Sequence, residues 1–198
     1  MLTLPGRIPI HIHPFFWLLC LAIGWLNALS LEGVAIWGVV VFISVLFHEM
    51  GHALFSLLFG QEVAITLFAL GGVTERRSRR ELPVWKEFII VLFGPLFGFI
   101  LAFSAYALLQ KVPDKWVLLS YGLSITYMVN LFWTVLNLFP IQPMDGGKLL
   151  SLVLQHFFGL RGLKFAFLIS IIVGVLFGGG HVLPPSSDDW NVLLSFCL

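Results

Sequence analysis

The sequence predicts an all-α membrane protein, a polytopic bundle of about five to six transmembrane helices with a short membrane-associated β segment and a broken helix at a polar site. Three observations predict it. The 198-residue chain is 59% hydrophobic and only 11% charged, with a mean hydropathy of +1.00, far from the balance of a soluble protein. Its apolar residues gather in stretches of about 20, the length a bilayer requires. The long polar interruption "ERRSRRELPVWKE", Glu75 to Glu87, carries Arg76, Arg77, Arg79 and Arg80, four of the eleven basic residues.

The first apolar stretch falls near residues 13–30. Pro5, Pro9, His11, His13 and Pro14 occupy the region where a removable signal peptide needs a short apolar core, so it reads as a retained span. Further spans fall near 33–59, 88–110, 116–139 and 163–180. The second is longer than a bilayer requires and has room to tilt or to project into the interface. By the positive-inside rule the N-terminus, with Arg7, and the basic loop at 73–87 face the cytoplasm, and the "KVPDK" turn faces outward. A topology signal accounts for the arginines better than a nucleic-acid surface does. Cys20 and Cys197 both lie among apolar residues, which suggests neither a disulfide framework nor a cysteine-rich metal site. Residues 1–180 read as the membrane core, and 181–198 as a polar turn leading into a last span cut short.

Between the second span and the basic loop, "EVAITLFALGGVTE" alternates β-branched and apolar residues and reaches Gly71-Gly72. Two readings fit it: an extended segment or hairpin arm, whose backbone must be satisfied by protein or water near the membrane, or an ordinary connecting loop.

The stretch "LFHEMGHALF", from Leu46 to Phe55, places three polar groups inside the second span. On a helix, residues four apart share a face, so His48 and His52 can present two imidazole nitrogens to one cation. Glu49 adjoins the first of them. This His-Glu-x-x-His order suits a zinc clamp with a general base for an attacking water. An ionisable group deep in a span costs at least about 2.5 kcal/mol, which argues against decoration. The plainer alternative is a set of side chains satisfied by hydrogen bonds between helices.

Two protein ligands rarely complete a catalytic zinc, and three plus an open position is usual. The outstanding third candidate is Asp145 in "NLFPIQPMDGGKLL". Pro140 and Pro143 cannot continue a helix, and Gly146-Gly147 permits a tight backbone turn. The chain is therefore expected to break there and aim the carboxylate inward, although a plain surface turn has the same composition.

The pairing of His48-Glu49-Met50-Gly51-His52 in one span with Asn137-x-x-Pro140-x-x-Pro143-x-Asp145-Gly146-Gly147 after a later one resembles the site-2 protease family of intramembrane zinc metalloproteases. The layout follows the family's sporulation type, which processes pro-sigma-K. His11, His13, Pro14 and Phe15 stand before the first span, and Gly71-Gly72 between the motif-bearing span and the next. The likeness covers roughly residues 8–165.

It implies one zinc ion held by His48, His52 and Asp145, with Glu49 as general base. It implies Asn137 beside the site to hydrogen-bond substrate or the oxyanion, and a strand from Ile65 to Gly72 that pairs with unwound substrate. The implied partners are a transmembrane or membrane-associated protein substrate, a regulatory membrane protein and the bilayer, in a bacterial cell membrane. The family's third motif departs here: Phe93-Gly94-Pro95-Leu96-Phe97-Gly98 lacks the polar residue that usually follows the proline, and Gly94 and Gly98 read as close-packing positions. A metal-ion transporter and a catalytically inactive scaffold are the competing classes. A compact triad with Glu49 intact favours the hydrolase.

Overall fold

The computed structural model describes residues 2–28, 30–68, 71–77 and 81–178. Along the chain come β1 (Leu2–Leu4), β2 (Ile10–Ile12), α1 (Pro14–Asn27), α2 (Leu31–Leu58), β3 (Glu62–Phe68), β4 (Gly71–Arg77), α3 (Val84–Leu109), α4 (Val117–Asn137), α5 (Asp145–Phe158) and α6 (Leu160–Gly178). Local chemistry sets the first boundaries. His13, in extended backbone, accepts the Phe15 N–H on its Nδ1 at 3.2 Å, and Pro14 takes the first helical position, where a missing N–H costs nothing. Ser30 caps α2 by accepting the Gly33 N–H at 3.1 Å, with Glu32 in the positive first turn.

Among the described residues three helices, α2 with 28 residues, α3 with 26 and α4 with 21, are long and apolar enough to cross a membrane. Their outward faces carry exposed Leu54, Ile100, Phe103, Met128 and Phe132, a surface suited to lipid. The chain is an integral membrane protein. The apolar helix α1 is shorter, at 14 residues. Residues 181–198, expected as a polar turn and partial span, lie outside the described residues, as do Arg79 and Arg80.

The β segment is larger than the sequence suggests, a four-stranded sheet in the order β1-β2-β3-β4. The hairpin reading of 62–75 holds: β3 and β4 pair antiparallel with Leu67 opposite Gly72 and Ile65 opposite Thr74. On its other side β3 pairs parallel with β2, and β2 pairs antiparallel with β1. Side chains alternate across the sheet, so Val63, Ile65 and Leu67 share a buried face. That face packs with Ile12 and with Phe16 and Cys20 of α1 and Val45 and Ala53 of α2. The sheet is thereby fixed against the half of α2 that carries His48, Glu49 and His52.

This topology corrects one expectation. Both edges of β3 are occupied, so the segment from Ile65 to Gly72 cannot offer β3 to a substrate strand. The open edge on that side is β4, which begins with Gly71 and Gly72 and takes up the front of the expected basic loop.

The second correction lies at the proline-rich segment. The chain does leave the helix after Asn137, but it re-enters one at Asp145, and Gly146 and Gly147 sit in the first turn of α5 rather than in a tight turn. Neither has a positive φ. Their role is steric: a Cβ at Gly146 would overlap the carbonyls of Leu138 and Phe139, and one at Gly147 would meet the backbone of Ile141 and Gln142. Bare glycines let the start of α5 nest against the end of α4. The link between them is tied down where the Gln142 N–H donates to Ser170 Oγ of α6 at 2.7 Å and its Nε2 to Ser151 Oγ of α5 at 3.0 Å.

Candidate active site

Helical spacing puts His48 and His52 on one face of α2, and the nested α5 brings its first residue to that face. His48 Nε2 and Asp145 Oδ2 are 3.1 Å apart, His52 Nε2 and Asp145 Oδ2 3.3 Å, and the two Nε2 atoms 3.2 Å. Ligand atoms bound tetrahedrally at about 2.0–2.1 Å stand about 3.3 Å apart, so the three donors already have the spacing one zinc ion requires. Among the described residues this is the group of histidines and carboxylates able to hold a metal ion. Two neutral imidazoles and a carboxylate are a fitting donor set for zinc.

Neighbours orient each donor. His52 Nδ1 lies 2.8 Å from the Ile90 carbonyl oxygen of α3. A carbonyl only accepts, so Nδ1 carries the proton and Nε2 turns its lone pair to the site. Lys148, one turn into α5, donates to Asp145 Oδ1 at 3.2 Å, leaving Oδ2 toward the histidines. Gly94 of α3 makes room for the His52 ring, and Gly51 of α2 meets the Phe93 carbonyl, so α2 and α3 approach closely. Gly98 does the same for Thr134 of α4, which accounts for its lack of a polar side chain.

Glu49 is 5% exposed and faces the sheet. Thr74 of β4 donates from Oγ1 to Glu49 Oε2 at 2.7 Å and lies 3.2 Å from the Glu49 carbonyl oxygen. Gly72, two residues earlier on the same face, lies against the Glu49 side chain, where a Cβ would overlap Cγ. Gly71, at the start of β4, has open space around it.

Asn137 is the last residue of α4 and is half-buried; among the described residues it forms no hydrogen bond with His48, Glu49, His52 or Asp145. The buried asparagine of that helix is Asn130, whose Nδ2 donates to Ser44 Oγ at 2.8 Å. A mostly apolar cavity of about 230 Å³ opens beside His48, with Ser44, Asn130, Thr134, Phe16 and Cys20 among its walls. His13 serves as the cap of α1, and His11 lies on β2 with Nδ1 3.2 Å from Thr3 Oγ1.

Sequence reasoning brought together His48, Glu49, His52 and Asp145. It missed Thr74, Lys148 and the Ile90 carbonyl. Lys148 had a local signal, its i,i+3 spacing from Asp145, once a helix is placed there. The other two depend on packing between distant segments.

Fold and cluster together define a class of helical membrane proteins with His-Glu-x-x-His on one span and an aspartate from a later helix in the same metal-binding group. Residues 37–116 match the profile of Peptidase family M50. The chain is similar to stage IV sporulation protein FB of Bacillus subtilis, 31% identical over 150 residues, covering 74% of this chain and 48% of that protein. It is also similar to zinc metalloprotease MJ0392 of Methanocaldococcus jannaschii, 31% identical over 166 residues, covering 80% of this chain and 47% of the relative. The solved structure of the site-2 protease from Methanocaldococcus jannaschii superposes with a TM-score of 0.63 at 27% identity, over 89% of this chain and 84% of that one. Over residues 37–116, which carry His48, Glu49 and His52, the chain is thus similar to peptidase family M50. It spans about half the length of the curated relatives it matches.

Proposed function

We propose that this chain is an intramembrane zinc metalloprotease that hydrolyses peptide bonds of membrane-embedded or membrane-proximal proteins. The observation that carries the reading is the spacing of His48 Nε2, His52 Nε2 and Asp145 Oδ2, 3.1–3.3 Å from one another, with Glu49 next to the first in sequence. Zinc, when bound, supplies a Lewis acid that polarises the scissile carbonyl and eases the ionisation of water near neutral pH.

The residues divide the remaining work. His48, His52 and Asp145 would hold the ion. Glu49 takes the proton of the attacking water and returns it to the leaving amine, a role worth about 10²–10⁴ in rate. Asn137, at the end of α4, is assigned to substrate or the oxyanion. Gly71 and Gly72 begin the open-edged strand on which an unwound substrate adds as a further β strand, since a helical peptide bond is shielded by its own hydrogen bonds.

Arg76, Arg77, Arg79 and Arg80, read with the positive-inside rule, support a cytoplasmic side for the N-terminus and for the segment 73–87. The five to six spans, the core at 1–180 and a last span within 181–198 belong to this same reading. So do a bacterial cell membrane, supported by the likeness to a Bacillus subtilis protein, and a regulatory membrane partner.

Co-expression with a panel of single-span membrane proteins, comparing wild type with Glu49→Gln, tests the function. Substrate cleavage that disappears in the variant is the expected result. Cleavage at the wild-type rate in Glu49→Gln would sink the mechanism.

A further inference from the structure

We infer that Thr74 is a positioning residue: its hydroxyl holds the Glu49 carboxylate in the orientation that proton transfer requires, so that the edge strand sets the general base. The inference rests on the proteolytic reading above. Its ground is the contact of Thr74 Oγ1 with Glu49 Oε2 at 2.7 Å, a short hydrogen bond to a carboxylate. The same hydroxyl lies 3.2 Å from the Glu49 main-chain carbonyl, so the strand sits close against the residue's backbone while its one proton goes to the nearer carboxylate oxygen.

Sheet register makes the contact obligatory. Thr74 stands opposite Ile65 and Gly72 opposite Leu67, both buried positions of β3, so Thr74 and Gly72 must face α2 while Val73 and Glu75 face away. Val73 is indeed exposed. Glu49 therefore meets two neighbours from β4. Gly72 has no side chain to push it aside, and Thr74 has one donor to hold one oxygen.

A glutamate has three rotatable side-chain bonds, and a base that wanders among rotamers spends little time aimed at the attacking water. Engaging Oε2 from the sheet side removes that freedom and leaves Oε1 to the reaction. Threonine donates a hydrogen bond without competing for the metal. Because β4 is also the open edge of the sheet, the strand that would pair with substrate is the strand that aims the base.

The alternative, a hydroxyl that only satisfies a buried carboxylate, makes a different forecast, and purified full-length Thr74→Val and Thr74→Ser separate the two. With a substrate cleaved by the wild type, Thr74→Val is expected to lower kcat about 10- to 100-fold, the worth of one hydrogen bond to a charged group. KM stays within about twofold, and zinc per chain and thermal unfolding stay at wild-type values, while Thr74→Ser keeps kcat within about threefold. Three results overturn the inference: an unchanged kcat in Thr74→Val, a serine variant as impaired as the valine one, or a loss of kcat that tracks loss of zinc or of folding. A wild-type rate in Glu49→Gln overturns the proteolytic reading itself, and with it any role for Thr74.

Discussion

The imidazole of His52 occupies the space that a side chain at Gly94 would fill: a Cβ there would overlap Nε2 and Cε1 of the ring. The ring has little freedom to retreat, since its other nitrogen donates to the Ile90 carbonyl oxygen on the same helix as Gly94. One turn of α3 thus both holds His52 and limits its position.

Gly94→Ala should therefore act on the metal site. Alanine is the better helix former by about 1 kcal/mol, so propensity alone would stabilise α3. Displacing the His52 ring opposes that gain and spoils the donor geometry. The expected outcome is zinc content well below one ion per chain, with cleavage lost in proportion, measured by metal analysis of purified protein. A fully loaded, fully active alanine variant would contradict the packing seen here.

Lys148 reaches Asp145 Oδ1 from one turn further along α5, at 3.2 Å, and is itself half exposed. Water screens such an exposed charge, so the pair adds little to overall stability. Its effect is on orientation, because it decides which carboxylate oxygen faces the histidines. Lys148→Met is expected to weaken zinc binding about 10- to 100-fold while the thermal unfolding temperature stays near that of wild type. A chelator-competition titration reads the affinity, and an unchanged value would show that Asp145 orients without help.

Those two sites mark where sequence reasoning stops. His48, Glu49 and His52 were legible because helical period fixes their face and because lipid makes each of them costly. Asp145 was legible as the missing third donor. Its helix was not: Pro140, Pro143, Gly146 and Gly147 have the composition of a turn, and only the carbonyls of Leu138 and Phe139, in contact after folding, show that the glycines serve close approach. The sheet was half legible. Alternation and the glycine pair pointed to β3 and β4, but β1 and β2 have three residues each, too few to display a period. Their pairing is also distant, with Ile10 opposite Ile65. That parallel pairing closes the edge of β3 and moves the open edge to β4, a consequence no local pattern carries. Thr74 follows from the same register.

Gly146→Ala tests the nested start of α5 directly. In an isolated helix the change would help, by about 1 kcal/mol, because glycine loses more backbone freedom on folding. Here the added methyl meets backbone carbonyls of the α4 terminus, which cannot rotate away as a side chain could. Relief requires α5 to move off α4, against the hydrogen bonds that tie Gln142 to Ser151 and Ser170. Overpacking of this kind costs about 1–3 kcal/mol, more than the propensity gain at most of that range. Because Asp145 precedes Gly146, the same movement draws Oδ2 away from His48 and His52. The expected result is a lower unfolding temperature together with lower zinc occupancy, read by thermal unfolding and metal analysis on one preparation. An alanine variant that is more stable than wild type and fully loaded with zinc would show that α5 can leave α4 without disturbing its aspartate.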